Sequence, residues 1–211
     1  MTTRLLIDKI DERGIEKLLS SLRSGEVIGY PTDTIYGFGV DVYNSHGVEK
    51  LLTLKGRNSQ KPISILYPGV RQLLDNFNHL NSFQKGIIAH LLPGQITVVL
   101  PVNNGRRFPA AFVKDGSVGT RVLDYPKFNR ILSRYPNPVS TTSINLSGKP
   151  PMGKVAEILS CFDQQIAVLL DAGDLENKLP STVIKLFEKS YKIIREGAIS
   201  RQEIEKKVAE I

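Results

Sequence analysis

The chain has 211 residues, and an excess of Lys and Arg (28) over Asp and Glu (21) gives it a net charge of +7 at pH 7. Its length allows one large domain or two small ones, with most of the apolar surface buried. No apolar run is long enough to span a bilayer, and residues 1–8 reach a charge too early for a signal-peptide core. The single cysteine, Cys161, excludes an internal disulfide and a cysteine-rich zinc site. We therefore expect a cytoplasmic protein with anionic partners, either a nucleotide or RNA.

Apolar segments that are rich in β-branched residues or stop at a proline alternate with amphipathic segments along the chain. The predicted strands are residues 26–30, 63–67, 96–100, 118–122, 139–145, 166–170, 182–187 and 191–195. The predicted helices are residues 11–23, 48–52, 83–92, 154–162 and 200–209. This alternation predicts an α/β sheet with helices packed on it. No linker or repeat interrupts the pattern, so we expect one domain over residues 1–211.

Residues 30–39 leave the first of these strands and are dense in hydroxyl groups and glycine. Small donors on a loop beyond a strand end suit a polar ligand, because ligands sit where the chain leaves an α/β sheet. The alternative is a hydrogen-bonded turn in which Thr32 and Asp33 satisfy backbone groups. From this segment alone, both interpretations stay open.

The common nucleotide and catalytic motifs are missing from the sequence. Residues 37–39 lack the third glycine and acidic partner of a dinucleotide fingerprint, and residues 148–150 end in proline where a P-loop needs Ser or Thr. The three histidines do not have metal-ligand spacing. Cys161, at the end of a predicted helix, is expected to be a small buried residue. A nucleotide site, if present, would therefore bind its phosphates without a P-loop.

Lys55 and Arg57 stand two residues apart, and in an extended segment this spacing places both side chains on one side. Arg57 offers a planar fork of donors that fits phosphate oxygens, and Lys55 adds a compact charge. Ser143 and Asn145 share the spacing and add neutral hydrogen-bonding groups. Either pair alone is typical of a solvated surface. Further cations and hydroxyls at predicted strand ends, which complete the outline of an oxygen-binding site for a polyanion, are Lys61, Thr120, Arg121, Ser181, Thr182 and Arg195.

Eight short blocks occur in the order of a known family. They are PTDTIYG at 31–37, KGR at 55–57, KP at 61–62, LPG at 92–94, GTRV at 119–122, SINLSG at 143–148, PSTV at 180–183 and REGAI at 195–199. Over residues 25–199 the chain resembles the YrdC-like L-threonylcarbamoyladenylate synthases. The resemblance implies a twisted mixed parallel and antiparallel sheet flanked by helices, with a large basic cavity. It also implies a nucleotidyltransferase that converts L-threonine, bicarbonate and ATP to L-threonylcarbamoyl-AMP and pyrophosphate, for threonylcarbamoyladenosine modification of tRNA.

The resemblance also implies roles for individual residues. Lys55 and Arg57 would be catalytic through contacts with the phosphates. The implied ATP-binding residues are Arg57, Lys61, Ser117, Ser143, Asn145 and Arg195, and the implied threonine-binding residues are Thr34, Arg121 and Ser181. Magnesium would be held mainly by the ATP phosphates, with unknown protein ligands. Leu66 and Asn58 depart from the family pattern, since many relatives have a threonine-contacting histidine and a proline at these positions.

Three alternatives remain open from the sequence. One is a double-stranded RNA or tRNA binding module without synthase activity, and another is a carbamoyl-transfer domain of the hydrogenase-maturation type. The third is an inactive paralogue. For the synthase, the expected partners are the three substrates and the downstream threonylcarbamoyl-transfer machinery, with tRNA or double-stranded RNA as a further candidate and no membrane.

Overall fold

The computed structural model describes residues 1–56, 62–103, 108–146, 148–175 and 178–210. The strands in this part of the chain are β1 (Thr3–Leu6), β2 (Ile28–Tyr30), β3 (Gly37–Gly39), β4 (Ser64–Leu66), β5 (Ile96–Pro101), β6 (Val113–Lys114), β7 (Ser117–Arg121), β8 (Val139–Ser143), β9 (Val168–Asp171), β10 (Thr182–Leu186) and β11 (Tyr191–Arg195). The helices are α1 (Glu12–Arg23), α2 (Ser45–Leu54), α3 (Val70–Asn76), α4 (Ser82–Leu91), α5 (Pro126–Leu132), α6 (Val155–Phe162) and α7 (Arg201–Val208). Every strand and helix predicted from the sequence is present, with shifts at the ends. The strands β1, β3 and β6 and the helices α3 and α5 were not predicted.

The described strands form one mixed sheet in the order β1-β9-β2-β3-β8-β4-β7-β5-β10-β11, with β6 paired to β7. The pairs β1–β9, β9–β2, β4–β7 and β5–β10 are parallel, and the others are antiparallel. The mixed sheet expected from the family resemblance is therefore confirmed. Within the described residues, no helix combines the length and hydropathy needed to cross a membrane.

The two faces of the sheet are covered unequally. One face packs on α2, α3, α4, α6 and α7, and the cluster there contains Leu51, Leu73, Ile87, Ile158 and Ile204 from these helices. On the opposite face, which we call the open face, the apolar cluster contains residues of α1 and α5 together with Tyr30, Leu66 and Val139 of the strands. Further along the open face, β7 presents Ser117, Gly119 and Arg121, and β5 presents Thr97 and Val99 beside them. This stretch of the open face holds the candidate site.

Helix α2 places Lys55 beside the end of the central strand β8. The helix begins where the Asn44 side chain accepts a hydrogen bond from the N–H of Gly47 at 3.0 Å. Its last residue is Leu54, the C-cap residue Lys55 still has helical backbone angles, and Gly56 follows with a left-handed φ of 67°. The extended conformation expected for this segment is therefore wrong for Lys55 and Gly56, because the helix continues to this point. Arg57 lies outside the described residues.

Cys161 is exposed near the end of α6, so the expectation of a buried cysteine is wrong. The buried side of this helix is formed by Val155, Ile158 and Phe162, which recur at a spacing of three to four residues. Cys161 falls outside that stripe. The apolar neighbours of a residue in the sequence are a poor guide to its burial when the element is a helix.

Candidate functional site

Strand register gathers small polar side chains on the open face. Leu66 of β4 pairs with Arg121 of β7, and Ser64 of β4 pairs with Thr141 of β8. Residues that pair across a sheet share a face, as do residues two apart in one strand. Gly119, two residues before Arg121, therefore lies among them: a Cβ at Gly119 would come within 2.6 Å of the Ser64 hydroxyl. The open face thus has a floor of hydroxyl groups and glycine backbone.

At one end of this floor, Lys55 meets Ser143 and Asn145. The Lys55 ammonium donates to Asn145 Oδ1 at 2.6 Å and to the carbonyl oxygen of Ser143 at 2.9 Å, with a longer contact to the Asn145 carbonyl oxygen at 3.4 Å. The Ser143 hydroxyl donates to the same Asn145 Oδ1 at 2.6 Å. The structure therefore brings together three residues that the sequence analysis assigned to one site. We call these three residues the lysine cluster.

The Lys55 ammonium is partly buried. This burial lowers the pKa of Lys55 from 10.5 to about 8, because desolvation disfavours the ammonium form. The ammonium is nevertheless the form that can donate to three acceptor oxygens at once. Below pH 8 the cluster therefore holds a positive charge that is only partly solvated, and such a charge attracts anions more strongly than an exposed lysine does.

A second group of polar residues lies around Arg121. Its guanidinium is almost fully buried and donates from Nη2 to Asp33 Oδ1 at 2.6 Å. Its Nη1 lies 3.4 Å from the Thr34 hydroxyl. The Nε atom is buried and has no hydrogen-bond partner among the described residues. An unsatisfied donor on a buried guanidinium is costly, so this atom points to a place for a ligand acceptor.

Asp33 reaches Arg121 across the open face. It belongs to the segment that leaves β2, whereas Arg121 ends β7, and the strands β3, β8 and β4 lie between β2 and β7 in the sheet. The contact requires the sheet to curve so that this segment passes over the face. Arg121 and Asp33 with Thr34 are called the arginine cluster below.

The segment that contains Asp33 is also a hydrogen-bonded turn. The Thr32 hydroxyl accepts from the N–H groups of Thr34 and Ile35 at 3.0 and 3.1 Å. Thr32 thus satisfies backbone groups, as predicted by the hydrogen-bonded turn that the sequence analysis gave as the alternative to a ligand site. Asp33 instead accepts from the distant N–H of Asp124 at 3.0 Å. The segment therefore forms both the turn and the contact with Arg121, because Thr32 makes the bonds of the turn and Asp33 makes the contact.

Ser181 and Arg195 lie beside the arginine cluster. Arg195 Nη2 donates to the Ser181 carbonyl oxygen at 2.7 Å, and the hydroxyls of Ser181 and Thr97 are 2.8 Å apart. Burial, and after it the positive charge of Arg121, lowers the pKa of Arg195. Two guanidinium groups close enough to repel each other are stabilised by an anion between or beside them.

The remaining predicted residues are placed as follows. Ser117 is buried at the start of β7, about 13 Å along the strand from Arg121. The register puts it at the same end of the sheet as Ser143, with β4 between the two strands. Leu66 is fully buried in the apolar cluster beside Arg121. Arg57, Lys61 and Asn58 lie outside the described residues.

A cavity of about 590 Å³ opens next to the arginine cluster. Its polar wall includes Thr32, Asp33, Gln95 and Asp124, and Lys178 and Lys207 stand at its exposed side. Gln95 and Asp124 were missed in the sequence. Gln95 follows the LPG block directly, and that position is the signal that could have found it. The lysine cluster does not line this cavity.

Oxygen and nitrogen ligands for a metal ion are sparse in the described residues, where no group of three His, Cys, Asp or Glu side chains could hold a cation. Ser143 Oγ and Asn145 Oδ1 are suitable oxygen atoms in type. The ammonium of Lys55 already occupies Asn145 Oδ1. In the described part of the site, the lysine cluster therefore does not provide a set of oxygen atoms for a directly bound cation.

The chain is similar to proteins of a known family. The family model Sua5_yciO_yrdC, described as telomere recombination, matches residues 20–197. A threonylcarbamoyl-AMP synthase of Photobacterium profundum is 31% identical over 185 residues, which cover 87% of this chain and 98% of that protein. A threonylcarbamoyl-AMP synthase of Bacillus subtilis is 29% identical over 209 residues, covering 97% of this chain but only 60% of that protein.

The solved structure of Pyrococcus abyssi Sua5 complexed with L-threonine superposes with a TM-score of 0.85 at 25% identity. The alignment covers 100% of this chain and 61% of the Pyrococcus chain. The present chain thus spans about three fifths of the longer relatives and nearly all of the shorter one. The match over residues 20–197 includes both the lysine cluster and the arginine cluster, and the chain belongs to the Sua5/YciO/YrdC family.

Proposed function

We propose that this chain is an L-threonylcarbamoyladenylate synthase, which forms L-threonylcarbamoyl-AMP and pyrophosphate from L-threonine, bicarbonate and ATP. The main support is the presence of two different clusters at opposite ends of the central strands, one centred on Lys55 and one on Arg121. The first suits phosphate oxygens, and the second suits the carboxylate of an amino acid. The names of the relatives point to the same reaction.

The chemistry requires positioning more than a protein nucleophile. The neutral amine of threonine attacks the carbon of bicarbonate, and loss of water leaves a carbamate. A carbamate oxygen then attacks the α-phosphorus of ATP, and pyrophosphate leaves with the electron pair of the broken phosphorus–oxygen bond. Each nucleophile belongs to a substrate, which agrees with the absence of a known nucleophile motif from the sequence. The protein accelerates such a reaction by orientation and by neutralising charge on the phosphates.

The assignment of residues follows the two clusters. Lys55 would contact the phosphates, with Ser143 and Asn145 holding its ammonium in place and Arg195 on the other side of the nucleotide. Arg121, through its unsatisfied Nε, would bind the threonine carboxylate, with Thr34 and Ser181 beside it. Arg57, Lys61 and Ser117 stay assigned to ATP. Magnesium would arrive with ATP, held mainly by the phosphates, and would neutralise their charge.

The alternatives make different demands on the site. A module that only binds RNA needs cations, but it has no use for a buried carboxylate–guanidinium pair with one donor left over. Two further hypotheses are a carbamoyl-transfer domain of the hydrogenase-maturation type and an inactive paralogue. Neither is favoured, because the relatives are named as synthases. Transfer of the product to tRNA by downstream machinery, and a cytoplasmic site of action, remain parts of the proposal.

A pyrophosphate-release assay tests the function directly. Purified protein is incubated with ATP, bicarbonate and L-threonine, and each of the three is omitted in turn. We expect pyrophosphate only in the complete mixture, together with a product whose mass is that of threonylcarbamoyl-AMP. Equal release without threonine would refute the synthase, and RNA binding without any turnover would favour the RNA module.

A further inference from the structure

We infer that Asp33 is a positioning residue for the amino-acid substrate, which acts by fixing the guanidinium plane of Arg121. The inference rests on the proposed function and concerns the threonine side of the site. Asp33 and Arg121 have side chains that are 5% and 7% exposed, so their ion pair is shielded from water. A shielded, short ion pair holds its geometry far better than an exposed one.

Asp33 is itself held at three points. Its Oδ2 accepts from the N–H of Asp124 at 3.0 Å, and its backbone carbonyl oxygen accepts from Gln95 Nε2 at 2.6 Å. Its Oδ1 accepts from Arg121 at 2.6 Å. Because all three partners come from other parts of the fold, Asp33 is a fixed support and not a mobile counter-ion.

The consequence for Arg121 is a division of its donors. Asp33 occupies Nη2, the Thr34 hydroxyl lies near Nη1, and the buried Nε has no partner among the described residues. A guanidinium presents its donors in one plane, so fixing Nη2 fixes the direction of Nε. The ligand carboxylate thus meets a donor that is already aimed, and less orientational freedom is lost on binding.

Asp33 also balances charge. Arg121 without it would be a buried, unpaired cation beside Arg195, whose pKa Arg121 already lowers. With Asp33 in place, the arginine cluster is neutral overall, which suits an amino acid that has no net charge. The phosphate side has no such counter-ion in its described part, since the neighbours of the Lys55 ammonium there are neutral oxygen atoms and the Phe38 ring.

The experiment compares Asp33→Asn with Asp41→Asn. Asp41 is a suitable control because its carboxylate is also buried and hydrogen-bonded, but it accepts from Tyr43, Tyr135 and Asn137, outside both clusters. An amide at position 33 cannot accept from both Arg121 and Asp124. We expect Asp33→Asn to raise both the KM for L-threonine and its Kd, measured by calorimetry, about tenfold. The reason is that the charge-assisted hydrogen bond that holds Arg121 in place is lost. The KM for ATP should stay within about twofold.

A second variant guards against a change that only unfolds the protein. Gln95→Leu removes the support of the Asp33 carbonyl oxygen without altering any charge, and it should raise the threonine KM in the same direction by a smaller factor. Asp41→Asn should lower the unfolding temperature without changing the threonine KM. Unchanged or tighter threonine binding in Asp33→Asn, or equal effects on threonine and ATP, would overturn the inference. Failure of the wild type to need threonine would instead refute the proposed function.

Discussion

Lys55 Nζ lies 2.6 Å from Asn145 Oδ1, although 90 residues separate the two in the chain. Asn145 Oδ1 also accepts from the Ser143 hydroxyl, so one oxygen joins the end of helix α2 to the end of strand β8. The ammonium is therefore fixed between two elements of the sheet and its helical layer. Such a fixed, partly desolvated charge is what stabilises negative charge that develops on a phosphate during transfer.

Replacement of Lys55 by methionine should lower the rate of pyrophosphate release at least about a hundredfold, because a preorganised donor to the transition state is lost. Lys50→Met is the control, since Lys50 lies on the same helix and pairs with Glu26 at 2.7 Å outside both clusters. We expect its rate to stay within about twofold of the wild type. Near-normal turnover by Lys55→Met, measured at saturating ATP and threonine, would remove Lys55 from the mechanism.

The affinity for ATP should fall as the pH rises through about 8. The folded-state pKa of Lys55 is lowered from 10.5 to about 8, so the folded protein loses this charge above that pH. Calorimetric titrations with ATP at pH 7 and pH 9.5 would measure the loss. Lys55→Arg keeps its charge over this range and should show a flat profile. An equal decline in Lys55→Arg would assign the titration to another group.

The same shift predicts a change in stability of the opposite sign. Between pH 8 and 10.5 the unfolded chain binds more protons at Lys55 than the folded chain does, so the contribution of Lys55 to the free energy of unfolding rises with pH. Urea unfolding of the wild type and Lys55→Met at pH 7.5 and 10 tests this. The difference between the two proteins should shift in favour of the wild type at the higher pH, and a shift the other way would contradict the lowered pKa.

Asn145→Asp should affect the unfolding temperature and the affinity for ATP differently. The new carboxylate would form an ion pair with the Lys55 ammonium, but the bonds that Asn145 Nδ2 donates to the carbonyl oxygens of Leu146 and Lys149 would be lost. Because these effects oppose each other, the unfolding temperature should change little. The same negative charge would repel the phosphates, and ATP should bind at least about tenfold more weakly. Calorimetry and thermal unfolding report the two effects separately. Unchanged ATP affinity would show that the lysine cluster lies away from the phosphates.

Gly197→Ala should disturb the threonine side of the site. A Cβ at Gly197 would lie 2.2 Å from the carbonyl oxygen of Pro180 and 2.8 Å from that of Ser181, so the backbone before β10 must shift. We expect a loss of about 1–3 kcal/mol in the free energy of unfolding and weaker threonine binding. Gly116→Ala is the control, because its Cβ would meet nothing within 4 Å and only the left-handed φ of 63° is strained. It should leave threonine affinity unchanged.

The fold could be predicted wherever a local pattern was strong. The missed strand β3 consists of Gly37, Phe38 and Gly39, a composition with little β-propensity. It exists because Gly37 pairs with Ser143 and because Tyr30 packs where a Cβ of Gly39 would lie, at 2.7 Å from the Tyr30 ring. Both causes are contacts between distant segments. Helix α5, by contrast, has a proline in its first turn, a start signal that was present in the sequence and overlooked.

In the site, too, local motifs could be predicted from the sequence, whereas a contact between distant segments could not. The grouping of Lys55 with Ser143 and Asn145 followed from motif order, and the structure brings these residues together. The pairing of Asp33 with Arg121 could not be predicted, because it depends on how far the sheet curves. The sequence offered Asp33 only as a turn residue, and nothing in its neighbours indicates a partner 88 positions away.

The segment after β2 contacts Arg121 of β7, although three strands lie between β2 and β7 in the sheet. A ligand that binds Arg121 would therefore also stabilise this contact between distant parts of the sheet. Under the proposed function, bound L-threonine should slow amide hydrogen exchange in β2 and β7 together.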